Sequence, residues 1–81
     1  MNRFKLFGTS ACHLCEIAEQ MLERLGDGGM LVPYDKVDIA DSDELFERYG
    51  LLIPVLRAPG GDELRWPFDE AELRDFIAAG E

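Results

Sequence analysis

The feature that most constrains this chain is a junction near its start. A compact apolar segment, Arg3 to Phe7, ends at Gly8, and Gly8, Thr9 and Ser10 form a turn. An amphipathic helix opens almost at once, with Cys12-His13-Leu14-Cys15 at its beginning. From His13 to Leu25 the apolar residues are Leu14, Ile17, Ala18, Met21, Leu22 and Leu25, spaced three, one, three, one and three apart. That is one face of a helix; Glu16, Glu19, Gln20, Glu23 and Arg24 make the other. Gly26 suits the left-handed position after a helix, and Gly28 and Gly29 extend the break. Tyr34 to Ile39 then alternates, Val37 and Ile39 against Lys36 and Asp38, as a strand with one buried face does. The first strand, helix and second strand should form a right-handed crossover joining parallel strands.

The rest of the chain is punctuated as clearly. Asp41 and Glu44 have capping-box spacing, Leu45, Phe46 and Tyr49 give a short helix an apolar face, and Gly50 stops it. Leu51 to Leu56 is almost wholly apolar, with Pro54 inside it. Pro59, Gly60, Gly61 and Asp62 predict a hairpin turn into an antiparallel strand from Glu63 to Trp66. Asp69 and Glu72 repeat the capping spacing before a last helix with Leu73, Phe76 and Ile77 as its stripe, closed by Gly80. The expectation is an α/β fold of order βαβαββα, with helices on both faces of the sheet. Residues 1–81 read as a single domain, without repeat, low-complexity run or linker.

Charge narrows the function classes. The chain carries 17 acidic and 8 basic side chains, a formal −9. Sequence-independent binding to nucleic acid needs clustered Lys and Arg, and docking to an anionic membrane needs the same. Neither partner is expected, and a monomer is. No apolar run approaches the ~20 residues of a membrane span. The start, Met-Asn-Arg-Phe-Lys-Leu-Phe, has no apolar core of a secretory signal. A cytoplasmic, reducing setting is expected, where a close cysteine pair points to redox or metal chemistry rather than a structural bridge.

Three residues are just under one helical turn, so Cys12 and Cys15 sit on one side of the first turn and can close and reopen a small disulfide ring. Unpaired N–H groups and the positive end of the helix dipole favour a thiolate there. The Cys12 pKa should therefore fall below the ~8.5 of a free thiol. Cys12, preceding the helix body, is assigned as nucleophile, and Cys15, beside Leu14 and Ala18, as resolving thiol. A metal site needs further ligands, and His13 is the only other soft one, so no metal is expected. His13 is either an ordinary surface residue or, when protonated, a group that stabilises the thiolate and tunes the redox potential. Glu16 pushes the thiol the other way. Pro54 belongs at a strand start or edge. Trp66 and Phe68, flanking Pro67, read as core rather than as a substrate-facing patch.

Phe7 to Glu16, Phe-Gly-Thr-Ser-Ala-Cys-His-Leu-Cys-Glu, then Tyr34 to Asp38, then Ile53-Pro54-Val55-Leu56, resembles glutaredoxin-like members of the thioredoxin superfamily. The resemblance runs over essentially the whole chain in element order. It implies a thioredoxin-like fold of glutaredoxin type, with a four-stranded mixed sheet ordered 2-1-3-4 and three helices. It also implies a cis proline at Pro54 packed against the active-site disulfide, and a substrate-pairing backbone at Ile53. The chain departs from the pattern in several places. His13-Leu14 stands where Pro-Tyr is usual between the cysteines, Thr9 where a basic residue is usual, and Leu52-Ile53-Pro54 for Thr-Val-Pro. Trp66-Pro67-Phe68-Asp69 precedes the last helix where Gly-Gly-Asp helps hold glutathione, and Gly60-Gly61-Asp62 falls in the predicted hairpin.

The leading expectation is a thiol–disulfide oxidoreductase that reduces protein or small-molecule disulfides with the Cys12/Cys15 dithiol. It needs no metal or organic cofactor, only an external thiol reductant, either a reductase or glutathione. The competitors are a thioredoxin-fold binding module whose cysteines are regulatory or vestigial, and an iron–sulfur cluster carrier sharing a cluster through Cys12. Colour after anaerobic purification marks the carrier. If His13 tunes the dithiol, His13→Ala shifts the potential measured against a glutathione buffer toward more reducing values; an unchanged potential makes His13 an ordinary surface residue.

Overall fold

Alternation along the first strand decides the layers. β1 (Phe4–Gly8) buries Phe4 and Leu6 on one side and Phe7 on the other. The computed structural model describes residues 3–30 and 32–80; Met1, Asn2, Leu31 and Glu81, counted in the single domain expected from the sequence, lie outside the described residues. After β1 come α1 (His13–Asp27), β2 (Tyr34–Asp38), a 3₁₀ turn (Ile39–Asp41), α2 (Asp43–Tyr49), β3 (Val55–Arg57), β4 (Glu63–Arg65) and α3 (Glu70–Gly80). The sheet order is β2-β1-β3-β4. β1 pairs parallel with β2 and antiparallel with β3, and β3 pairs antiparallel with β4. This is the βαβαββα arrangement with a four-stranded mixed sheet that the sequence implied.

Leu6 lies opposite Leu56, and Phe7 opposite Val55, so each cross-strand pair shares a face. Phe4, Leu6 and Leu56 join Ala18, Met21, Leu22 and Leu25 of α1 and Leu73 and Ile77 of α3 in the larger core. Phe7 and Val55 join Ile39 and Tyr49 in a smaller core under α2. Phe7 and Tyr49 are stacked there, with ring centroids 4.4 Å apart and planes 13° from parallel. The two cores share no buried residue, yet both are anchored on the same two strands.

Several boundaries differ from the expectation. α1 runs on through Gly26, and Gly29 takes the left-handed conformation (φ 99°). Met30 N–H donates to Leu25 C=O (2.9 Å) and Gly29 N–H to Gly26 C=O (3.0 Å), a Schellman closure that satisfies the last carbonyls. Ile39 leaves the strand and is buried through the 3₁₀ turn, which Asp38 caps by accepting from Ala40 N–H (2.9 Å). Asp41 belongs to that turn, so Ser42 rather than Asp41 caps α2, its Oγ accepting from Leu45 N–H (3.3 Å). β3 begins only after Pro54, because Leu52 and Ile53 both donate to Tyr49 C=O and Pro54 has no N–H to give. Leu51 is thereby fully exposed, and Phe46 is 59% exposed rather than core.

The predicted capping box of α3 does form. Asp69 Oδ1 accepts from Glu72 N–H (2.8 Å), and Glu72 Oε1 accepts from Asp69 N–H (3.2 Å). The hairpin turn closes through Ala58 N–H to Asp62 C=O (2.8 Å), with Gly61 at φ 104°. Leu73 of α3 has no exposed surface. Leu73→Ala should lower stability by about 2–5 kcal/mol, the range for a buried leucine that leaves a cavity. Urea unfolding checks this, and a loss within error of zero would show that the site collapses freely.

Candidate active site

β1 and β2 run parallel and end side by side at Gly8 and Asp38. The chain leaves β1 through Thr9, whose Oγ1 accepts from Ala11 N–H (3.3 Å) and whose carbonyl accepts from Cys12 N–H (3.3 Å). This turn delivers Cys12 to the N-cap of α1 in extended backbone (φ −102°, ψ 107°). Its sulfur does what a cap hydroxyl would do, accepting from Cys15 N–H (3.0 Å). Cys12 and Cys15 are disulfide-bonded, with Cα atoms 5.2 Å apart.

The two sulfurs differ in access. Cys15 is 4% exposed and lies in the buried face of α1 with Ala18 and Met21, while Cys12 is half-buried. Cys15, not Leu14, thus begins the buried stripe, and Leu14 is 41% exposed between the cysteines. Gly8 supplies the close approach: a Cβ at this position would stand 2.9 Å from Cys15 Sγ and 3.2 Å from Cys15 Cβ. Sequence reasoning used Gly8 only as a strand terminator. The signal was present in the alternation, since Phe4, Leu6 and Gly8 share a face and only the last has no side chain.

His13 is the first residue of α1 and points to solvent, its Nδ1 3.5 Å from Glu16 Oε2. Pro54 is fully buried, and the Ile53–Pro54 and Trp66–Pro67 bonds are both cis. The β1–β3 register, continued by one residue beyond Phe7 and Val55, sets Pro54 opposite Gly8, the residue that seats Cys15. Trp66 N–H donates to Pro54 C=O (3.1 Å), so the row across the sheet end reads Gly8, Pro54, Trp66. Ile53 N–H is committed to Tyr49 C=O (3.1 Å), which leaves its carbonyl as the backbone group that could meet a substrate. Trp66 packs on the larger core and meets the buried Phe68 edge to face, centroids 5.0 Å apart.

On the β2 side an open cleft of about 430 Å³ adjoins Cys15, lined among others by Gly8, Thr9, Glu16, Glu19, Lys36 and Asp38. Lys36 Nζ is held by Glu19 Oε1 at 3.0 Å, which raises the lysine pKa further. Deeper support comes from Tyr49. Its hydroxyl bonds Glu63, and burial followed by that bond raises its pKa, keeping the phenol neutral. Among the described residues no group of three or more His, Cys, Asp and Glu side chains could hold a metal ion, and no helix is long and apolar enough to cross a membrane.

A family profile described as Glutaredoxin-like domain (DUF836) matches residues 3–78. The X-ray structure of the protein XcR50 from X. campestris superposes with a TM-score of 0.83 at 38% identity, covering 96% of this chain and 99% of that one. A mutant thioredoxin from Halobacterium salinarum superposes with a TM-score of 0.71 at 25% identity, over 98% of this chain and 74% of that one. Protein Ne2328 from Nitrosomonas europaea shares the fold, with a TM-score of 0.75 at 23% identity over 94% and 91% of the two chains. No curated protein matches the chain.

The unequal burial sets an expectation for the reduced protein. Iodoacetamide at pH 6 should label Cys12 well ahead of Cys15, because Cys12 is half-buried at the helix start while Cys15 is 4% exposed. Peptide mapping of the labelled chain reads the order; equal labelling would mean that neither burial nor the helix start distinguishes the sulfurs.

Proposed function

This chain belongs to the glutaredoxin-like domain family, and from that premise we propose that it is a thiol–disulfide oxidoreductase working through Cys12 and Cys15. The observation that carries the reading is the cysteine pair itself: bonded across the first turn of α1, with one sulfur half-buried and its partner buried. A helix start lowers the pKa of a thiol placed there, since its free N–H groups and dipole favour the anion. The Cys15 N–H already directed at Cys12 Sγ is one such donor.

In the forward reaction the Cys12 thiolate attacks one sulfur of a substrate disulfide. The substrate S–S bond breaks, a Cys12–substrate disulfide forms, and the other substrate sulfur leaves as a thiolate and takes a proton from water. Cys15 then loses its proton and attacks Cys12 Sγ. The Cys12–Cys15 bond forms, and the second substrate sulfur is released as a thiol. Two electrons have passed from the protein dithiol to the substrate. An external thiol reductant, a reductase or glutathione, returns them. Strand register sets Pro54 opposite Gly8, the seat of Cys15, and the Ile53 carbonyl beside it is read as the acceptor for a substrate N–H. His13, exposed at the first position of α1, is read as tuning the pair rather than carrying protons. The net charge of −9 slows encounter with anionic partners and favours neutral or basic ones.

The test is reduction of insulin, or of a small disulfide, with glutathione or a thioredoxin-type reductase as electron source. Turnover should vanish in Cys12→Ser. Cys15→Ser should instead accumulate a mixed disulfide on Cys12, visible by intact mass. No turnover with any reductant, together with no mixed disulfide in Cys15→Ser, overturns the reading.

A further inference from the structure

We propose that Gly8 is the positioning residue of the redox pair: the missing side chain at the end of β1 holds open the space that Cys15 Sγ occupies in the disulfide. This rests on the reading that the Cys12–Cys15 bond opens and closes, and it adds what biases that equilibrium. Position 8 follows Phe4 and Leu6 on the face toward α1, where every other inward position of β1 carries a large side chain. At Gly8 the order is reversed, and the helix sends a side chain to the strand. A Cβ there would meet Cys15 Sγ at 2.9 Å, closer than packed carbon and sulfur approach.

Relief of that contact differs between the two redox forms. In the dithiol, Cys15 can turn about χ1 and carry its sulfur away from the strand, which removes the 2.9 Å contact and leaves only the 3.2 Å contact with Cys15 Cβ that both forms share. In the disulfide, Sγ is tethered to Cys12, whose backbone is fixed by the Thr9 turn and by the first bond of α1, Glu16 N–H to Cys12 C=O (3.3 Å). Only a shift of the helix start against the sheet can then make room. That shift is resisted by Ala18 and Met21, packed in the larger core about one and two turns further on. An added methyl therefore penalises the oxidised form more than the reduced one. The glycine stabilises the disulfide without touching any substrate.

The measurement is equilibration of Gly8→Ala with glutathione, in which two glutathione thiols open the bond to give two protein thiols and one glutathione disulfide. The equilibrium should move about tenfold toward the dithiol, the order of an overpacked core contact. Urea unfolding of both forms closes a thermodynamic cycle: the stability lost by the oxidised form, minus that lost by the reduced form, should equal the same tenfold factor. Leu73→Ala, which touches neither cysteine, should weaken both forms alike and leave the equilibrium in place. If Gly8→Ala does not fold, the double variant Gly8→Ala/Cys15→Ala decides, because removing Sγ should restore folding. An unmoved equilibrium with equal losses in both forms, or no rescue in the double variant, overturns the assignment. These readouts need no substrate. No turnover with any reductant, together with no mixed disulfide in Cys15→Ser, would sink the oxidoreductase reading and leave this one standing.

Discussion

The structure depends on one close contact between the first turn of α1 and the last residue of β1. β1 is one of the two inner strands of the sheet, with β3, and its side chains enter both hydrophobic cores. Cys15 is pressed onto its end because Gly8 offers no side chain to keep it away. The sulfur is thus referenced to the centre of the sheet rather than to a loop. Cys12 inherits that placement through the disulfide and through the N–H of Cys15. In the disulfide the two sulfurs thus differ in access, Cys15 buried and Cys12 half-buried, while both are fixed against the sheet.

The other wall of the site is organised by Tyr49. It closes α2, stacks on Phe7, and gives its carbonyl to the N–H groups of Leu52 and Ile53. Those bonds turn the chain before Pro54 and start β3 one residue later, in register with the end of β1. The phenol hydroxyl bonds Glu63 on β4, so one buried side chain ties α2 to the sheet edge. The neutral phenol is the favoured form in the folded chain. Its contribution is complete below the ordinary tyrosine pKa of about 10 and fades as pH rises through the raised folded value.

Much of this architecture is legible in the residues themselves. The amphipathic spacing from Leu14 to Leu25, the Pro59–Asp62 turn and the Asp69/Glu72 box each act within a few residues. Local geometry alone makes them what they are. The same holds for a cysteine pair at a helix start, where the chemistry follows from the backbone groups of that turn. The readings that slipped concern competition between neighbours. Asp41 has the composition of a cap, but the 3₁₀ turn needed to bury Ile39 claims it, and Ser42 takes the role. Gly26 has the composition of a helix stop, but the Schellman closure falls at Gly29. Leu51 and Phe46 look like core, yet the turn after α2 leaves both in solvent.

The amino-acid sequence by itself determined the order of elements and the place of the cysteine pair at the start of α1, because these follow from spacing and from helix-end signals. Only the tertiary structure decided which surfaces face the pair. Bringing Gly8, Pro54 and Trp66 into one row depends on strand register. Committing Ile53 N–H to Tyr49 depends on how α2 packs. The use of a strand-end glycine as the seat of Cys15 depends on how far α1 settles onto the sheet. Such distances between segments remote in sequence are set by the packing of whole layers, and no local pattern in the chain encodes them.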